Sequence, residues 1–73
     1  MMPNIYYHAG HYTLVTRDDR HGLSVVIYDD RRHIYDPQRV YSVAQFTTNA
    51  DVTAYLLTMI RILKAMSDRR PAV

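Results

Sequence analysis

The hydrophobic pattern of this chain changes period once, at Thr47-Thr48-Asn49, and that switch limits what the chain can fold into. Before it, larger apolar side chains alternate with a period near two, as in strands. After it they recur at three- and four-residue steps, as along one face of a helix. The second stripe consists of Val52, Tyr55, Leu56, Met59, Ile60, Leu63 and Met66. Thr48, with Asp51 three positions on, supplies a hydroxyl for an early helix amide and a carboxylate for the positive helix end. Arg61 and Lys64 suit the other end of the dipole, and Pro71 forbids continuation. The spacing predicts a helix over about residues 50 to 66, roughly 25 Å long at 1.5 Å per residue.

The first half reads as sheet. Tyr12-Thr13-Leu14-Val15-Thr16 and Leu23-Ser24-Val25-Val26-Ile27-Tyr28 are rich in β-branched residues and flank Arg17-Asp18-Asp19-Arg20-His21-Gly22, where Asp and Gly supply turn chemistry. Residues 12 to 28 therefore predict a hairpin with a connection of roughly six residues and an inward face of Leu23, Val25 and Ile27. After Asp29-Asp30-Arg31-Arg32, the segments His33-Ile34-Tyr35 and Arg39 to Phe46 predict one or two further strands, with Pro37 barring an unbroken central one. Ile5-Tyr6-Tyr7-His8-Ala9-Gly10-His11-Tyr12 is either an additional edge strand or an arm that pairs with a partner.

These elements predict an α+β fold: a small antiparallel sheet of three or four strands with one C-terminal amphipathic helix packed on one face. The chain has 73 residues, room for one domain, expected over 1–66 with 1–11 as the edge strand or arm and 67–73 as a flexible tail. At 48% hydrophobic and 22% charged it has the composition of a folded chain. Without cysteine it has neither a disulfide framework nor a thiolate, and no cofactor is expected. The longest apolar run falls well short of the ~18 residues a membrane span needs, so the expected compartment is the cytoplasm, with no membrane partner.

The charge balance, 9 Lys and Arg against 7 Asp and no Glu, is too even for the strong field of a non-specific nucleic-acid binder. Catalytic options are thin. No phosphate loop, paired carboxylates in a suitable frame or nucleophile with base spacing is present, so an enzyme is not expected. His8 and His11 form an H-x-x-H pair, but two ligands without a nearby Cys or Glu do not make a zinc site. Seven Tyr and no Trp stand out, because Tyr joins a rigid apolar body to a polar tip and is enriched at interfaces. The uncovered sheet face, carrying some of Tyr12, Tyr28, Tyr35 and Tyr41, is the candidate site. The docking segment is expected to be Ile5, Tyr6, Tyr7, His8 and Tyr12, with Arg31, Arg32 and Arg39 as rim or RNA-facing charges.

The start Met1-Met2-Pro3-Asn4-Ile5-Tyr6-Tyr7-His8, the mixed Arg/Asp turns and the ending Ala65-Met66-Ser67-Asp68-Arg69-Arg70 resemble the small RNA-polymerase-binding regulators of lytic phages of xanthomonad bacteria. The resemblance runs over the whole chain rather than a short motif. It implies a non-enzymatic regulator that binds the N-terminal region of the host β′ subunit near the RNA exit channel, together with the β flap. Such a regulator inhibits sigma-dependent initiation and promotes read-through of intrinsic terminators, with possible contact to nascent RNA. Two other readings fit the element order: a small DNA-binding domain that lays a three-stranded sheet in the major groove, and another phage-encoded inhibitor of host defence, such as one directed at a CRISPR complex. Asp18, Asp19, Asp29 and Asp30 in the expected turns weigh against the first, because phosphates would lie there.

Overall fold

A computed structural model describes residues 4–69. It contains β1 (Ile5–Ala9), β2 (Tyr12–Asp19), β3 (Gly22–Asp29), β4 (Val40–Phe46) and one helix, α1 (Asn49–Ser67). The strands form one antiparallel sheet in the order β1-β2-β3-β4, and α1 lies across one face. This is the α+β arrangement the period switch predicts. The N-terminal cluster forms the edge strand β1, and residues 1–3 and 70–73 lie outside the described residues.

Turn chemistry sets the register. Ala9 pairs with Tyr12 across a two-residue turn in which Gly10 has φ +60° and His11 a negative φ, a geometry with glycine at the first corner that matches the twist of the flanking strands. The second hairpin is tighter than its sequence predicts. Asp19 pairs with Gly22, leaving only Arg20 and His21 between the strands. The Asp19 carboxylate accepts the His21 backbone N–H at 2.8 Å, and Gly22 completes the turn at φ +111°. One Asp and one Gly therefore do the turning, and Arg17 and Asp18 stay in the ladder as exposed charges.

The segment His33-Ile34-Tyr35 is not a strand. It lies in the connection between β3 and β4, where Asp36 N–H donates to the His33 carbonyl at 2.9 Å and closes a turn, and Pro37–Arg39 continues as a single 3-10 turn capped by Asp36. High β propensity is overridden here by side chains that bond the loop backbone.

The core lies between the sheet and the helix: Ala9, Tyr12, Leu14, Val25 and Ile27 against Val52, Leu56 and Leu63, with Tyr7, Leu23, Phe46, Met59 and Ile60 packed around them. Val25 and Ile27 are fully buried, as the inward-face reading requires. Thr48 caps α1 by accepting the Asp51 N–H at 3.2 Å, and the Phe46 and Tyr55 rings meet at 5.0 Å. Met66, assigned by periodicity to the inner stripe, is instead 43% exposed. Ser67 takes the inward position in the last turn, where its Oγ accepts the His11 N–H at 3.0 Å against Gly10. Helix and first hairpin are joined there, and the start of the expected tail belongs to the helix.

Candidate docking site

An antiparallel sheet with one covered face normally turns polar residues to the other. This sheet does not. Register places Tyr6, Val15, Val26 and Val43 side by side in one row across all four strands, on the face opposite α1. The inner pair, Val15 and Val26, is 5% and 6% exposed, sheltered by its neighbours, whereas Tyr6 and Val43 at the ends are 61% and 59% exposed. A second row, His8, Thr13, Tyr28 and Val40, runs beside the first, and Arg17, Ser24 and Gln45 form a third on its other side. These rows contain no carboxylate. The result is an apolar centre with a polar margin, the anatomy of a protein-binding surface.

The second row is held from its rim. The Thr13 hydroxyl has one proton, and its shortest contact, 2.7 Å, is with the Asp30 carboxylate. His8 Nδ1 stands 3.2 Å from the Thr13 hydroxyl oxygen, and with the hydroxyl proton on Asp30 the imidazole nitrogen is the donor. Arg39 lies over the Tyr28 ring, 5.2 Å from its centroid, and stiffens the corner where β4 begins. A bulge there makes Tyr41 an extra residue opposite β3, and its ring meets Tyr12 edge-on at 5.2 Å.

The expected docking segment is divided between two faces. Tyr6 and His8 are on the open face, while Ile5 and Tyr7 line a recess of about 220 Å³ between the sheet and the first half of α1. Tyr12 is a correction: it is 4% exposed and belongs to the core. The Gly10 turn sets its side chain to the α1 side, and a register shift of one residue would have sent it to the other. Of the other tyrosines, Tyr28 is on the open face, Tyr35 in the β3–β4 connection and Tyr41 at the bulge. Val15, Val26 and Val43 are not among the site residues the sequence reading marks. The signal for the inner two was the unbroken runs Leu14-Val15 and Val25-Val26-Ile27, which are apolar on both faces of their strands.

Two of the three rim arginines, Arg31 and Arg32, are already paired with carboxylates. Arg31 donates to the buried Asp29 through Nε (3.0 Å), Nη2 (3.2 Å) and its backbone N–H (3.0 Å), and reaches the Tyr12 hydroxyl at 3.2 Å. Arg32 pairs with Asp36 at 3.4 Å. Both charges are matched within the loop. Hydrogen bonding from Arg31 holds the Asp29 carboxyl below the usual carboxylate range, although burial acts in the opposite direction. A group depressed in this way stabilises the fold above its unfolded pKa, near 4, and that contribution is lost as pH falls through the lower folded value. Asp29→Asn is expected to melt below the parent at neutral pH, with the gap narrowing from about pH 4 downward. Melting curves that stay parallel between pH 6 and pH 2 would contradict this.

Among the described residues, no three His, Cys, Asp or Glu side chains converge as a metal site, and no helix is long and apolar enough to cross a membrane. Comparisons with protein-family models, curated proteins and solved structures found no match for this chain.

Proposed function

We propose that this protein is a phage-type transcription regulator that docks on bacterial RNA polymerase in the host cytoplasm and acts by occupying a surface rather than by catalysis. One observation carries the docking part of this reading: the apolar row Tyr6-Val15-Val26-Val43 on a sheet face with no layer over it among the described residues. The choice of polymerase comes from the sequence resemblance. In this reading the sheet face seats on the N-terminal region of β′ near the RNA exit channel and on the β flap. A rigid two-layer body there hinders the sigma factor at the flap and keeps a terminator hairpin from forming in the channel. Arg17 and Arg39, on either side of the apolar row, are the charges a nascent RNA strand would meet.

The row can be disrupted without disturbing the core, because Val43 and Tyr6 are more than half exposed. Val43→Asp is expected to weaken binding to purified core polymerase by tenfold or more, about 1.4 kcal/mol, since it buries an unpaired carboxylate in the interface. Its melting temperature should stay close to that of the parent. Titration of labelled protein with polymerase, alongside thermal melting, tests this. Unchanged affinity for both Val43→Asp and Tyr6→Ser would remove the open face as the docking site.

A further inference from the structure

The connection between β3 and β4 ends in an apolar tip where turn chemistry calls for something else. His33 to Asp36 form a closed turn with Ile34 and Tyr35 at its two corners. Corner positions favour Gly, Pro, Asn, Asp or Ser, and a β-branched residue next to an aromatic one serves no need of the turn. Nor do they serve the core: Ile34 is 66% and Tyr35 86% exposed.

The base beneath them is firmly built. Asp29 accepts the Arg31 N–H and guanidinium, Arg32 N–H donates to the Asp29 carbonyl at 3.1 Å, and Asp36 accepts the Gln38 N–H at 2.8 Å and pairs with Arg32. His33 Nδ1 accepts the Tyr35 N–H at 3.2 Å, and the two rings stand 5.4 Å apart. A loop held this way presents its tip in one conformation and loses little entropy when the tip is covered. Places where local rules are broken on a well-supported frame are the expected location of function.

We propose that Ile34 and Tyr35 form an anchor that inserts into an apolar cleft on the protein partner, next to the surface covered by the open sheet face. This rests on the polymerase reading and deepens it. Charge favours a protein cleft over nucleic acid. From residue 29 to residue 39 the loop holds Asp29, Asp30 and Asp36 against Arg31, Arg32 and Arg39, a formal sum of zero, and the Arg31 and Arg32 charges are matched by Asp29 and Asp36. Attraction to phosphates needs a positive excess that this loop lacks. Tyrosine is, by contrast, one of the residue types enriched among the few that dominate a protein interface.

The test compares full-length protein with Tyr35→Ala and Ile34→Asp, by titration against purified core polymerase, single-stranded RNA and vesicles of mixed neutral and anionic lipid. A further variant carries a photo-crosslinking benzoylphenylalanine in place of Tyr35. Both substitutions leave the core intact, and their melting temperatures should lie within about 3 °C of the parent. The expected result is a loss of about tenfold or more in polymerase affinity for each, with a crosslink from position 35 to a polymerase subunit. Parent-like affinity in both variants without a crosslink, while the parent binds, overturns the anchor and leaves the sheet-face docking standing. Failure of the parent to bind polymerase overturns both. Binding to RNA or vesicles that depends on Tyr35 overturns the protein cleft as the occupant.

Discussion

Leu63→Ala is expected to lower the stability of this domain by about 2–5 kcal/mol, the range for removing a fully buried leucine that leaves a partly unrelaxed cavity. Leu63 is 0% exposed and is the last fully buried residue of α1 in the core it shares with Leu14, Val25 and Ile27. A chain of 73 residues, at about 0.05–0.15 kcal/mol per residue, has on the order of 4–11 kcal/mol in total. The substitution thus removes a large share, and the midpoint should fall by about 10–30 °C. The same change at Leu57, on the same helix but 58% exposed, controls for helix propensity and should shift stability by less than about 0.5 kcal/mol. Equal effects at the two positions in thermal or urea melts would contradict the packing described above.

Gly10→Ala is expected to be nearly as damaging, although only one methyl group is added. Gly10 sits at φ +60°, a left-handed conformation that costs an L-residue roughly 1–2 kcal/mol. The added Cβ would also collide with the Ser67 side chain, which is held against the turn by its hydrogen bond from His11. Together these should cost about 2–4 kcal/mol. The two terms separate in a double-mutant cycle. In a Ser67→Gly background the side-chain collision is gone, while the backbone term and a 3.3 Å approach to the Leu63 carbonyl oxygen remain, so the coupling between positions 10 and 67 should exceed ~0.5 kcal/mol. Additive losses would show that the turn and the end of α1 do not meet as described.

What was legible in the sequence follows from the range of each interaction. The helix could be read because its stripe and its cap are local: Thr48 and Asp51 lie within one turn, and the capping bond forms between them. The inward face of β3 could be read for the same reason. Tyr12 could not, because its face depends on how Gly10 pairs β1 with β2, and a single-residue slip reverses every side chain. The apolar row was hidden for a related reason. Its four members come from four strands and become neighbours only once the register is set. Of the one or two strands expected after Asp30, only β4 forms, because the strand preference of Ile34 and Tyr35 is overruled by carboxylates at positions 29 and 36 acting on the loop backbone. Met66 was lost to Ser67 because a small hydroxyl fits against Gly10 where a long thioether does not.

The proposed docking on RNA polymerase uses the face left open by the helix. The most direct test is retention of purified core polymerase on the tagged, folded protein after nuclease treatment, run in parallel with Val43→Asp. The parent should retain polymerase without bridging nucleic acid, and the variant, equally folded, should retain much less. No retention by the parent, or retention that disappears with nuclease, would contradict it, and the second result would point instead to a sheet that binds DNA.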